Sequence, residues 1–270
     1  MHIKASTVFN YIFIICCCAL SLLPYILMGL SAFNTSVNIK KGDIFSHPSF
    51  ASFAANFKAL MDNVAFFSAI GNTLFVSIGA MFLGVLLSSM AAYAYTLLKN
   101  KVTNKIFYLS FFAILIPSAT TIIPLFMLLQ KVNMLNSLFT IILVSLSIPF
   151  TTFILVQNAK SFPIDLIKAA RADGMSEVGI YFKVFIPTLK PVFITAAIIS
   201  FIDMWNGFMM PLIIVQSLDL MTLPLFLNNL GANQSADYGM FMLALVVSTI
   251  PILLIFLFTQ KFFMMGMKGI

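Results

Sequence analysis

NVAFFSAIGNTLFVSIGAMFLGVLLSSMAAYAYTLL, residues 63–98, carries no Lys, Arg, Asp or Glu. A helix needs about 20 apolar residues to cross about 30 Å of hydrocarbon, so this run can span a bilayer and leave some loop beside it. It is apolar on every face, which excludes the alternation of a membrane β-strand. Ala80, Gly84, Ser88 and Ala92 recur every fourth residue within it. At that spacing the small side chains share one face, where another helix backbone can approach closely, and helix packing is favoured over ligand binding.

Outward from this run the pattern repeats. Residues 5–39, 106–130, 132–159 and 238–260 are also free of charge, and 191–218 is interrupted only by Asp203. The expected fold is all-α: residues 1–270 form a single polytopic membrane bundle of six transmembrane helices. Composition agrees, with 61% hydrophobic and 9% charged residues, against about 25% charged in soluble domains. Pro24, Pro117, Pro124, Pro149, Pro211 and Pro251 fall in or near spans, where each deletes a backbone donor and can bend its helix. Proline is also simply commoner in membrane helices, and the two readings stand level. The first run follows a short basic start, as in a signal peptide, but it exceeds the usual apolar length and lacks a clear cleavage site; it is expected to be a retained span.

The net charge is +7, from 15 basic and 8 acidic residues. Lys4, Lys99, Lys101, Lys105, Lys160, Lys168, Arg171, Lys183, Lys190, Lys261 and Lys268 fall on one side of a six-span layout, and Lys40, Lys41, Lys58 and Lys131 on the other. The positive-inside rule then makes both termini cytoplasmic. Topology accounts for the charge, with no nucleic acid partner required. Cys16, Cys17 and Cys18 are consecutive and lie deep in span one, so acylation is disfavoured, and His2 and His47 have no metal-ligand spacing; no metal site is expected. The extracytoplasmic loop 34–62 places Phe50, Phe53, Ala54, Phe57, Leu60 and Met61 at a helical period. An interfacial helix on lipid headgroups is the default there, with partner docking as the alternative.

One segment differs from the rest: SFPIDLIKAARADGMSEVGIYFKVFIPTLKP, residues 161–191, the largest hydrophilic stretch on the cytoplasmic side. Pro163 suits a first helical turn, Asp165 the positive helix end, and Gly174 the positive φ that stops a helix. A second helix restarts near Ser176. The result is a short exposed helix whose Ala169–Ala170 pair could seat closely in another protein's groove.

This loop resembles the EAA motif of permease subunits in binding-protein-dependent ABC importers, roughly EAAxxDG followed by an apolar stretch. Ala169, Ala170, Asp173, Gly174 and Pro187 fall at matching places after Phe162 and Pro163, while Lys168 stands where the motif has glutamate. With that charge reversal, the ion pair that the family's glutamate makes with a basic residue on the ATPase does not carry over: either the ATPase subunit differs or another contact takes over. Further matches are Asn72-Thr73-Leu74, Ala92-Tyr93-Ala94, Ile116-Pro117, Pro124-Leu125, Trp205-Asn206, Thr222-Leu223 and the stretch from Gly266 to Gly269. Together they are similar to the carbohydrate branch, and to the smaller permease of the maltose-type system.

The resemblance implies a partnership: a second permease subunit, two ATPase subunits that use ATP and Mg, an extracytoplasmic solute-binding protein, and a sugar substrate moved by alternating access through a prokaryotic cytoplasmic membrane. Asp165, Lys168, Ala169, Ala170, Arg171, Asp173 and Gly174 would then couple to the ATPase. The chain has no GxxxxGK[ST] phosphate loop, so it is not expected to hydrolyse ATP or to bind a cofactor. Asp203 is an ionisable residue inside span five, where such groups face a cavity or a polar partner. With Trp205, whose indole can stack on a sugar, and Asn206 it makes a candidate substrate path. The competing reading has Asp203 paired with the other permease and Trp205 in packing. A polyol or glycerol phosphate is an alternative solute. A stand-alone secondary transporter would need several midplane carboxylates, and only Asp203 qualifies; a membrane enzyme would need paired carboxylates, HExxH or a Ser/His arrangement, and none occurs.

Overall fold

The computed structural model of the chain describes residues 5–45, 47–98, 100–146, 149–232 and 237–267. Lys4, Lys99, Lys268, His2 and Gly269 lie outside them. Among the described residues there is no strand. The helices run in order α1 Ala5–Ser31, α2 Ser36–Lys40, α3 Phe50–Met61, α4 Val64–Leu97, α5 Lys101–Phe112, α6 Ser118–Lys131, α7 Leu138–Val144 and α8 Pro149–Ala159. They continue as α9 Ile164–Ala172, α10 Glu177–Ile180, α11 Ile186–Thr188, α12 Lys190–Trp205, α13 Met209–Ile214, α14 Leu223–Ala232 and α15 Tyr238–Met267.

Three helices are each long and apolar enough to cross a bilayer: Phe9–Ser31 with 23 residues, Val64–Leu97 with 34 and Tyr238–Gln260 with 23. They match the first, second and last charge-free runs. The runs 106–130 and 132–159 each fall on a bent helix pair, and a third bent pair joins the hydrophilic segment to the start of the run 191–218. Lys101–Leu115 and Ala119–Lys131 meet at 101°, Leu138–Val144 and Pro149–Ala159 at 44°, and Glu177–Thr188 and Lys190–Trp205 at 84°. Among the described residues there are thus three unbroken helices long enough to span and three bent pairs. The breaks have local causes. Pro117 ends one arm with an extended backbone and immediately precedes α6, and Pro149 opens α8, where a missing N–H costs nothing because that donor is unpaired in any helix. Pro24, Pro124 and Pro251 instead lie inside continuous helices. Residues 191–218, expected as one span, form α12, a turn and then α13, with α12 ending at Trp205.

The residues gather into two compact units, Met1–Phe67 with Phe226–Pro251, and Ser68–Leu225 with Ile252–Ile270. In the first, α3 forms where the loop periodicity predicts, with Ser49 capping it by accepting from the Ala51 N–H at 3.1 Å. Its buried face includes a polar residue. Asn56 and Leu60 are buried, while Phe50, Ala54, Phe57 and Met61 stay exposed. Asn56 is the anchor: its amide donates to the carbonyls of Ala32 at 2.8 Å and Asn34 at 3.0 Å. The Ala32 carbonyl follows the last residue of α1, where no helical partner can satisfy it, and the Asn34 carbonyl lies in the turn beyond. Phe53 stacks on Phe33 with ring centroids 4.6 Å apart.

In the second unit the small-residue stripe of α4 behaves as expected, since Ala80, Gly84, Ser88 and Ala92 are all buried. Hydroxyl pairs fasten the helices within it: Thr152 donates to Ser88 at 2.9 Å, and Thr151 and Ser200 share a bond of 3.0 Å. Asn72 donates to the carbonyls of Asp219 and Met221 at 2.8 and 2.9 Å. Asn136, at φ 55°, accepts from the backbone N–H groups of Gln216 and Ser217. Asparagine tolerates that left-handed backbone better than most residues.

Candidate functional site

The segment 161–191 folds as α9, then α10, a π-helical turn and α11 in succession, before α12 begins at Lys190. Asp165 lies in the first turn of α9, favourably placed against the positive helix end. The helix stops at Gly174, which has φ +78°. The Gly174 N–H donates to the Arg171 carbonyl and the Met175 N–H to the Ala170 carbonyl, each at 3.0 Å. That pair of bonds is the Schellman arrangement, which satisfies carbonyls the helix end would otherwise orphan. A Cβ at Gly174 would meet nothing within 4 Å, so conformation rather than space demands glycine. Ser176 then caps α10 by accepting from the Gly179 N–H at 3.2 Å.

The faces of α9 decide what it can touch. Ile167 is fully buried and Ala170 is 7% exposed, in a cluster with Ala159, Phe162, Ile180 and Phe185. Asp165, Leu166, Lys168, Ala169, Arg171 and Asp173 are exposed. The expected Ala169–Ala170 pair is therefore split: Ala170 seats the helix on the chain's own core, and only Ala169 faces outward. Ala170, buried in the chain's own cluster, is not presented to an external groove.

Lys168 donates to Asp165 at 2.8 Å, a pair one turn apart within α9 itself. Arg171 reaches out of its helix, its Nε donating to Oε1 of Glu177. The other oxygen of Glu177 accepts from the Tyr93 hydroxyl of α4 at 2.8 Å. The Arg171 bond, and then the Tyr93 bond, hold the Glu177 carboxyl below its ordinary pKa, while the Glu177 bond holds Arg171 above its own. Below these groups lies a ring cluster: the Tyr93 ring packs edge-on against Tyr181 at 5.4 Å and Phe185 at 5.0 Å. Tyr181 and Phe185 open and close a π-helical turn, and the Tyr181 hydroxyl bonds Ser89. Glu177 and Tyr181 carry no signal in the motif reading. Their roles arise from contacts spanning more than 80 positions of chain, which local spacing does not encode.

The three residues at the end of α12 do not form one surface. Trp205 is 3% exposed and stacks on Phe201, with centroids 5.7 Å apart. Asp203 and Asn206 are exposed, and at i, i+3 they share one helix face. Asn206 donates to its own helix, to the Ile202 carbonyl at 2.9 Å. The described residues contain no group of three or more His, Cys, Asp or Glu that could hold a metal.

An apolar multi-helix chain with a polar helix seated against α10 and the π-helical turn has counterparts among known proteins. The family described as binding-protein-dependent transport system inner membrane component matches residues 84–268. This chain belongs to that family. The inner membrane component is 31% identical over 257 residues to the lactose transport system permease protein LacG of Rhizobium radiobacter, covering 93% of this chain and 90% of the relative. It is 34% identical over 197 residues to the arabinooligosaccharides transport system permease protein AraQ of Halalkalibacterium halodurans, covering 73% and 71%. Its fold matches a chain of a bacterial ABC transporter involved in the import of the acidic polysaccharide alginate, with a TM-score of 0.85 at 19% identity, over 97% of this chain and 99% of that one. The chain is thus a permease subunit of that family.

Proposed function

We propose that the chain is one of two permease subunits of an ATP-driven importer in a prokaryotic cytoplasmic membrane, moving a carbohydrate inward by alternating access. In this reading the three continuous helices, the bent pairs 101–131 and 138–159, and the run 191–218 with α12 and α13 make six spans with both termini cytoplasmic, and segment 161–191 stays on the cytoplasmic side. The observation that carries it is α9: a polar helix, seated on the core through Ile167 and Ala170, that leaves Asp165, Lys168, Ala169, Arg171 and Asp173 exposed together. A separate ATPase subunit docks on that face and uses ATP and Mg; a solute-binding protein delivers the solute on the opposite side. The carbohydrate class is supported by the names of the relatives, which concern lactose and arabinooligosaccharides. Asp203 and Asn206 are this chain's candidates for the solute path, and Trp205 faces its own core.

Affinity purification from native membranes in mild detergent tests this. A second permease and an ATPase should co-purify, and the reconstituted complex should take up labelled oligosaccharide only with ATP and the binding protein. Uptake by this chain alone in ATP-free liposomes would overturn the reading.

A further inference from the structure

Ile167 and Ala170 hold α9 by burial, which is non-directional and would let the helix slide or rotate on its seat. A directional tie comes from elsewhere. Each oxygen of Glu177 is engaged by a different element: Oε1 by Arg171 of α9, Oε2 by Tyr93 of α4. Tyr93 is itself gripped between Tyr181 and Phe185, and Tyr181 bonds Ser89 one turn earlier on α4. Segment 177–185 therefore holds two successive turns of a transmembrane helix while its first residue holds α9. The Arg171–Glu177 pair is exposed on both sides, 46% and 53%. Such pairs add little to stability, so a purely structural purpose explains it poorly. The Lys168–Asp165 pair is the contrast, since both partners sit on α9 and it ties that helix to nothing.

We propose that Glu177 is a positioning residue that links α9 to α4 through Arg171 and Tyr93, so that displacement of α9 by a docked ATPase is passed to a membrane-spanning helix in fixed register. The link rests on the importer reading above and adds to it three residues and a direction of transmission. Neither Tyr93 nor Glu177 touches the partner; both act through α9.

The test uses the whole complex in proteoliposomes and reads solute moved per ATP hydrolysed. Tyr93→Phe keeps the ring packing and removes only the hydroxyl; Glu177→Ala removes both bonds. Each should lower the ratio, by about twofold to thirtyfold, with subunit assembly unchanged by co-purification. Because both cut one chain of contacts, the double variant should fall no lower than the worse single variant. The exchange Arg171→Glu with Glu177→Arg re-forms the ion pair and still offers Tyr93 a hydrogen-bond donor, so it should recover most of the ratio that either single exchange loses. A wild-type ratio in Tyr93→Phe and Glu177→Ala, or losses that multiply in the double variant, would overturn the link. A wild-type complex that hydrolyses no ATP would overturn the importer reading, and the link with it.

Discussion

The helices α3 and α9 are both short, amphipathic and outside the long apolar runs, yet they are held by opposite means. On α3 a neutral amide, Asn56, is buried and satisfies backbone carbonyls just beyond the end of α1. On α9 the buried groups are apolar, and the polar tie through Arg171, Glu177 and Tyr93 is exposed. Burial makes a polar contact costly to break, because the orphaned group cannot turn to water. Exposure makes it cheap to break and re-form. The α3 arrangement suits a fixed scaffold, and the α9 arrangement suits an element that must move and still keep its register.

Perturbing each anchor sharpens the contrast, beginning with the largest effect. Ile167→Ala opens a fully buried position, and we expect a loss of about 2–4 kcal/mol, measured as faster proteolysis of loop 161–191 and a lower denaturation midpoint in detergent. Asn56→Ala should cost about 1–3 kcal/mol by leaving two carbonyls unpaired, with the same midpoint as readout. An unchanged midpoint in Asn56→Ala would erase the distinction between the helices. Gly174→Ala should cost about 1 kcal/mol, all of it from the positive φ. Gly174→Pro cannot adopt that φ and loses the N–H given to Arg171, so it should insert normally into the membrane yet uncouple ATP hydrolysis from uptake; normal uptake at normal expression would contradict the role of α9.

The smallest effect is a pH dependence. Glu177 titrates below its ordinary value of 4.5 because its carboxylate accepts from Arg171 and Tyr93. A depressed carboxylate stabilises the folded loop at pH values above 4.5, and that contribution is lost as pH falls through its lowered pKa. Protease protection of loop 161–191 should thus stay flat from neutral pH to about 5 and fall only in more acid solution. Glu177→Ala should remove the acid-side drop and Tyr93→Phe should lessen it; an equal drop in wild type and Glu177→Ala would show that Glu177 does not gate it.

Much of the fold was legible. Charge-free runs located α1, α4 and α15, because length and hydropathy are all a straight span needs. The every-fourth stripe of small residues on α4 forecast its buried face, and Gly174 forecast the end of α9. Breaks within the remaining runs were not legible: Pro117 and Pro149 at helix starts look the same in sequence as Pro124 and Pro251, which sit inside helices. Nor was the inward turn of Ala170, since neighbouring alanines in a short helix give no sign of which one faces the core. Asn56 went unnoticed for a related reason, as periodicity counts apolar residues and α3 is anchored by a polar one.

The central claim is that the outward face of α9 receives the ATPase. Photo-crosslinking from benzoylphenylalanine placed at Ala169, with Phe57 on α3 as the contrasting site, tests it in native membranes. The account predicts capture of an ATPase subunit from Ala169 and none from Phe57. Capture of lipid alone from Ala169, or of the ATPase from Phe57, would contradict it.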